Sequence, residues 1–183
     1  MTSVVLSIGS NLGDRMARLQ SVVDGLGDAV RAVSPVYETE AWGGVEQGPF
    51  LNAVLIADDP RLDAHAWLRR AQELERAANR VRGERWGPRT LDVDLVTCRE
   101  RTESGESEMI LGDADLTLPH PFAHLRAFVM VPWLDVEPDA TLTVAGVAQP
   151  VTRLLAELDP VERAGVRRTD QVLGVETQRA SGD

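Results

Sequence analysis

Between Arg80 and Asp94 the chain reads Arg-Val-Arg-Gly-Glu-Arg-Trp-Gly-Pro-Arg-Thr-Leu-Asp-Val-Asp, a loop of arginines broken by glycine and proline that runs straight into two carboxylates. On an extended strand, side chains alternate faces with a rise of about 3.3 Å per residue. Asp92 and Asp94 are therefore expected on one face, roughly 7 Å apart, with Leu91, Val93 and Leu95 filling the other. Two acids that close repel each other and raise one proton affinity unless a cation lies between them. Hard oxygen pairs of this kind suit magnesium that is also bound to substrate phosphates. Guanidinium forks beside them clamp phosphate oxygens two at a time. An isolated Asp-x-Asp in an acidic chain reads equally well as an exposed strand face of ion-paired surface charge. The arginine loop next to it shifts the reading to a site for a polyanion and a metal.

Composition limits what else the chain can do. At 183 residues with 43% hydrophobic and 26% charged residues, it supports one domain with a sizeable core. The net charge of -10 disfavours non-specific capture of nucleic acid or an anionic membrane, both of which need a positive field, so neither is an expected partner. An anionic ligand must be held by a local basic patch. All 19 basic residues are arginine, which excludes Schiff-base and pyridoxal chemistry as well as a P-loop lysine. The single cysteine, Cys98, has no intramolecular disulfide partner and is expected as a small buried apolar residue. The N-terminal stretch has no basic leader and no apolar run approaches membrane-spanning length, so cytoplasmic residence is the expectation.

The elements that must position the acids can be read from periodicity. Val4 to Ile8 is a β-branched run ended by Gly9, and Leu12, Met16, Leu19, Val23 and Leu26 then follow helical spacing up to Gly25 and Gly27. Val30 to Tyr37 is a strand candidate in which Pro35 marks an edge or a bulge. Phe50 to Ala57 is apolar except for Asn52 and predicts a central strand buried on both faces. After Asp58-Asp59-Pro60, the set Ala64, Trp67, Ala71, Leu74 and Ala78 predicts a second helix, and Leu91 to Thr97 the fourth strand. Strand-helix-strand-strand-helix-strand is the split βαβ order. It implies an α+β, ferredoxin-like antiparallel sheet with both helices packed on one face. Arg99 to Glu108 lacks a period and reads as a hairpin or mobile loop, and Pro150 to Leu158 as a short helix. Residues 1–158 are expected to form the catalytic domain. Residues 159–183 are polar and without a sustained apolar face, and are expected to fray or be disordered and to be dispensable for activity.

Taken together, Gly9-Ser-Asn-Leu-Gly-Asp14, Phe50-Leu-Asn-Ala53, Arg80-Val-Arg82, Arg85-Trp-Gly-Pro-Arg-Thr-Leu-Asp-Val-Asp94 and Leu118-Pro-His-Pro121 closely resemble the 6-hydroxymethyl-7,8-dihydropterin pyrophosphokinase family of folate biosynthesis. The likeness spans roughly residues 3–158 and follows the family's order and spacing. It implies transfer of the terminal diphosphate of ATP to the pterin hydroxymethyl group, giving AMP, with two magnesium ions and mobile loops that close over the substrates. It also implies a monomer working on two small molecules.

Residue by residue, the resemblance gives Asp92 and Asp94 both metal ions and Arg80 and Arg89 the ATP phosphates, and matches Arg82 to a loop arginine brought in on closure. Attack at the β-phosphorus spreads negative charge over phosphate oxygens, so fixed positive charge and positioning are what such chemistry needs. Gln72, Glu75, His120 and Arg126 match ATP-side contacts. Thr39, Phe50, Asn52, Trp86 and Phe128 match the pterin side, where a flat, amide-edged ring calls for aromatic faces and a group that both donates and accepts. His65 and His124 match nothing. The chain has Ala41 where the family commonly has proline, and 99–108 is longer than usual, differences that bear on loop motion and so on rate. Two rival readings remain at this point: another metal-dependent phosphoryl or nucleotidyl transferase on a similar sheet, and a non-catalytic ferredoxin-like module that binds a small ligand.

Overall fold

In the computed structural model, which describes residues 2–40, 48–80 and 91–175, the chain runs β1 (Thr2–Ser10), α1 (Arg15–Leu26), β2 (Val30–Val33), β3 (Tyr37–Thr39), β4 (Phe50–Asp59), α2 (Ala64–Arg80) and β5 (Asp92–Thr102). It continues with β6 (Gly105–Glu108), β7 (Leu111–Gly112), β8 (Thr117–Leu118), α3 (Ala127–Val136), β9 (Thr141–Val144), β10 (Val147–Pro150), α4 (Val151–Ala156), α5 (Pro160–Ala164) and β11 (Val166–Arg168). The main sheet is antiparallel in the order β11-β3-β4-β1-β5-β6, and β2 also pairs with β4.

Alternation along β1 decides how the sheet is used. Val4, Leu6 and Ile8 face one side, where they meet Leu51, Ala53 and Leu55 of β4 and Val93 and Leu95 of β5. That side is covered by Leu19, Val22, Val23 and Leu26 of α1 and by Trp67, Ala71 and Leu74 of α2. Helix α1 starts at Arg15, with the Asp14 carboxylate accepting from the Ala17 N–H, so Leu12 lies before the helix and is exposed. It stops at Gly27, whose φ of 54° is left-handed backbone that glycine adopts without steric cost. Strand β4 runs on through Asp59, beyond the sequence boundary, and α2 opens at Ala64 with Asp63 accepting from the Ala66 N–H. Ser34 and Pro35 divide the predicted second strand into β2 and β3. Ser34 keeps the contact with β4, its N–H donating to the Val54 carbonyl and its Oγ accepting from the Val54 N–H.

Helices cover both faces, not one. Val5, Val54 and Val96 point away from α1 and α2 and are packed under Val129, Met130 and Trp133 of α3 and Val151 and Leu154 of α4. Bare valines on that face would leave apolar surface in water, and Trp133 alone, fully buried, contributes about 4–6 kcal/mol by area removed from solvent. The cover stops where β1, β4 and β5 become small or polar on this face, at Ser7, Gly9, Asn52, Asp92 and Asp94. A register shift between Val5 and Leu6 makes Val96 an extra residue in β5. The shift keeps Asp92 and Asp94 on the α3 face while Cys98, further along, still enters the α1 side core. Burial pushes the Cys98 thiol up to about 12, so it stays a protonated apolar residue. The 99–108 segment is a hairpin, with β5 and β6 pairing from Arg99↔Glu108 to Thr102↔Gly105.

Within residues 159–175, the described part of the segment expected to fray, the chain is held against the sheet. Asp159 caps α5 through the Val161 N–H, β11 pairs with β3, and the Thr169 N–H and Oγ–H both donate to the Val36 carbonyl. Leu173 is buried against the α1 side core, and Gln20 exchanges hydrogen bonds with Gly174. Backbone pairing to a sheet edge and one anchoring leucine hold this stretch, and neither leaves an apolar period in the sequence. No helix among the described residues is long and apolar enough to cross a membrane.

Candidate active site

Where the cover of α3 ends, a cleft of about 370 Å³ opens over the sheet, lined by Ser7, Gly9, Thr39, Glu40, Phe50, Asn52, Asp92, Asp94, His120, Arg126 and Phe128. Register explains the grouping. On β1, Ser7 lies opposite Asp94, and Gly9 lies between Asp92 of β5 and Asn52 of β4. Opposite residues in an antiparallel pair share a face, so the two acids, the amide and the small residues between them point the same way. On the far side Tyr37 pairs with Asn52 and Thr39 with Phe50. The cleft therefore has an acidic wall on β5 and a wall of Thr39, Asn52 and Phe50 on β3 and β4.

Asn52 is 3% exposed and its Nδ2 donates to the Thr39 Oγ1 at 2.6 Å. Gly9 is required beneath it, because a Cβ there would lie 2.7 Å from the Asn52 Oδ1. Moving the amide to make room means breaking its bond to Thr39. Gly9→Ala is therefore expected to cost about 1–3 kcal/mol, the usual penalty for overpacking a close contact. Denaturant unfolding measures this, and a parent-like midpoint would show that Asn52 yields freely.

The third wall comes from the segment around α3. The Leu118–Pro119 peptide is cis, and the next residue, His120, donates its backbone N–H to the carbonyl of the bulged Val96 at 2.8 Å. The His120 Nδ1 accepts from the Phe122 N–H at 3.1 Å, which leaves the proton of the neutral ring on Nε2. Burial pushes the imidazole below its ordinary value, while Asp94 opposes that and Arg126 adds to it, so the ring is neutral at pH 7. Arg126, at the entrance to α3, holds its guanidinium 5.5 Å from the Phe128 ring centroid and 5.7 Å from that of Phe122, within cation–π range.

Of the residues singled out from sequence, the structure brings Thr39, Phe50, Asn52, Asp92, Asp94, His120, Arg126 and Phe128 into one cleft. Gln72 and Glu75 are not among its lining. They sit on α2, which packs against the other face of the sheet, with Gln72 exposed and Glu75 half-buried. The Arg80 side chain and the whole of Arg82, Trp86 and Arg89 lie outside the described residues, as does Ala41. His65 pairs with Asp113 at 2.7 Å, away from the cleft lining. Sequence reasoning assigned no role to Ser7, Gly9 or Glu40. Ser7 and Gly9 do carry a signal, since they interrupt the apolar run of β1 at every second residue. Glu40 carries none.

Among the described residues no three acids, histidines or cysteines converge as a complete metal cage. Two carboxylates side by side on one strand suit magnesium, which commonly takes one or two protein carboxylates and completes its shell with water and substrate phosphates. The donor set fits that ion.

A cleft with a hard-oxygen pair on one wall and a flat, amide-edged slot on the other defines the class: an enzyme that moves a charged group onto a planar small molecule. The pattern described as 7,8-dihydro-6-hydroxymethylpterin-pyrophosphokinase matches residues 5–138, and the chain belongs to that family. Proteins named 2-amino-4-hydroxy-6-hydroxymethyldihydropteridine pyrophosphokinase are similar along nearly the whole length. That of Mycobacterium tuberculosis H37Rv is 66% identical over 169 residues, 91% of this chain and 89% of its own. That of Mycobacterium leprae is 67% identical over 175 residues, 94% and 92% of the two chains. The Methylorubrum extorquens protein is 38% identical over 174 residues, 93% of this chain and 100% of its own. Among solved structures, wild-type Plasmodium falciparum HPPK-DHPS with pterin and p-hydroxybenzoate superposes with a TM-score of 0.59 at 13% identity, over 85% of this chain and 43% of that one. At that identity the likeness speaks for the mixed helix and antiparallel sheet fold alone, and the chain spans less than half of that longer protein.

Proposed function

We propose that the family's reaction runs in this cleft: the hydroxymethyl oxygen of 6-hydroxymethyl-7,8-dihydropterin attacks the β-phosphorus of ATP, the bond from that phosphorus to the α–β bridging oxygen breaks, and AMP leaves. The hydroxyl proton passes to solvent water as the new P–O bond forms. One observation carries the reading: Asp92 and Asp94 share a cleft with the Asn52–Thr39 pair and the rings of Phe50 and Phe128.

The chain's own residues divide the work between the two walls. Asn52 is held by one N–H on Thr39, and its other N–H and Oδ1 are suited to the donor and acceptor edge of a pterin. Phe50 and Phe128 supply faces for the ring, each adding about 0.5–1.5 kcal/mol beyond area burial. Arg126 brings positive charge from the α3 side, and the neutral His120 offers a donor at Nε2 to a phosphate or nucleotide oxygen. Asp92 and Asp94 would hold magnesium, two ions in this reading, whose chemistry is to neutralise the phosphate oxygens and favour the alkoxide character of the attacking hydroxyl. Arg80, Arg82 and Arg89 belong to the phosphate side, Gln72 and Glu75 to the nucleotide side, and Trp86 to the pterin side. The strand order β5-β1-β4 followed by β2 and β3 supports a ferredoxin-like split βαβ core. A monomer in the cytoplasm, with mobile loops closing over ATP and the pterin, completes the reading.

Product analysis tests it. Incubation with ATP, magnesium and hydroxymethyl-dihydropterin is expected to yield AMP and a pterin heavier by a diphosphate group in mass analysis. ADP or free diphosphate as the product would instead make the chain a different phosphoryl or nucleotidyl transferase.

A further inference from the structure

The two strand ends that carry the proposed pterin wall are fastened from outside the cleft by one chain of charges. Thr39 ends β3 and lies opposite Phe50 at the start of β4. Glu38 precedes Thr39 and Glu40 follows it. Arg167 of β11 reaches both, its Nη2 standing 3.4 Å from Glu38 and 3.3 Å from Glu40. Arg15, at the start of α1, approaches Glu38 from another side at 3.7 Å, and the same Nη1 donates to the carbonyl of Pro49 at 2.9 Å. Pro49 is the residue before Phe50. The charge chain Pro49–Arg15–Glu38–Arg167–Glu40 thus ties together the residues that flank both wall residues.

The backbone supports the same grip. Val166 of β11 pairs with Thr39 and Arg167 with Glu38, so β3 is an inner strand of the sheet because the C-terminal segment lies beside it. Below, the Tyr37 hydroxyl donates to Asp135 of α3, the helix that carries Phe128. Val161, Glu162, Gly165 and Val166 also form one side of a second hollow whose other side is Thr39, Glu40, Ala127 and Phe128. The segment after Leu158 therefore backs the pterin wall directly.

We infer that Arg167 and Arg15 are positioning residues for the acceptor: through Glu38 and Glu40 they set where Thr39 and Phe50 stand, and hence how tightly the pterin is held. Neither arginine is itself a lining residue of the cleft; Arg167 reaches it only through Glu40, which lines it. The inference rests on the reading of that wall as the pterin side. Exposed ion pairs each contribute little to stability, so a purely structural role would leave a small change in melting and none in substrate preference. A positioning role predicts a selective effect, because misplacing a binding group weakens only the ligand it binds.

The test uses the full chain and four variants: Arg167→Ala, Arg167→Lys, the double variant Arg15→Ala/Arg167→Ala, and Asn52→Leu as the reference for the wall itself. Steady-state kinetics with each substrate varied, together with thermal melting, are read for all of them. The expected result for Arg167→Ala is a pterin KM raised about two- to tenfold, the size of one or two lost charge contacts. Its kcat and ATP KM should stay within about twofold, the lysine variant should recover part of the loss, and the double variant should exceed the single one. A parent-like pterin KM in both alanine variants, with Asn52→Leu impaired, overturns the positioning role while leaving the pterin wall intact. Equal losses for both substrates alongside a lowered melting temperature overturn it too, as a structural effect. A parent-like pterin KM in Asn52→Leu would remove the pterin wall, and this inference with it.

Discussion

Replacing Asp92 and Asp94 together by asparagine is expected to lower turnover by about 10³-fold or more while the protein stays folded. Asparagine keeps the size and some hydrogen-bonding capacity of each side chain but removes both negative charges, and a neutral amide oxygen is a poor ligand for a hard dication. Both acids line the cleft on one strand face and are half-buried, and the core on the opposite face of β5 is made by Leu91, Val93 and Leu95. The substitution therefore leaves that packing untouched, and stability is expected to change little. The effect cannot be traced to His120, because Asp94 raises that imidazole's proton affinity and its loss moves the ring further toward the neutral form it already has. Turnover at saturating ATP and pterin, titrated with magnesium and paired with thermal melting, measures this. A rate within tenfold of the parent would separate the acids from the chemistry.

The second large effect is on the acceptor. Asn52→Leu is expected to weaken pterin binding by about 10²-fold, the loss of roughly two hydrogen bonds made in a water-excluded slot, with ATP binding preserved. Leucine keeps asparagine's branching at Cγ but is bulkier, and the neighbouring Leu51 and Ala53 face the α1 side core on the other side of the strand, so any repacking is confined to the cleft face and is read by thermal melting. The local cost falls on the Thr39 hydroxyl, whose oxygen loses the N–H it accepts from the amide at 2.6 Å. Calorimetry with the pterin in the presence of a non-hydrolysable ATP analogue and magnesium reads this directly. Undiminished pterin affinity would show that the buried amide serves the fold alone.

These two predictions differ in how much of their basis was legible from residues in order. The acids were legible because a strand alternates with period two: Asp92 and Asp94 must share a face if Leu91, Val93 and Leu95 share the other, whatever the rest of the chain does. Asn52 was conspicuous for the opposite reason, as an amide in an otherwise apolar central strand. Its partners were not, since Thr39 and Gly9 reach it only through the register of β3, β4 and β1. The same limit hid the second layer of helix. Val5, Val54 and Val96 lie on three different strands, and only a formed sheet shows them as one apolar patch that α3 and α4 must cover.

The C-terminal segment shows that limit most clearly. Arg167 looks like surface charge in a polar tail, because a strand held by backbone hydrogen bonds needs no apolar period and an ion pair to Glu38 leaves no trace in its own neighbourhood. From the residues alone came the strand and helix order, the α1 side core, the family likeness and the paired acids, all of which depend on contacts between near neighbours or on side-chain alternation. Tertiary structure decided which strands adjoin, where the cover of α3 stops to leave a cleft, and which distant charges brace its wall. Those are set by pairing across long stretches of chain, where many registers are compatible with the local pattern and only mutual packing selects one.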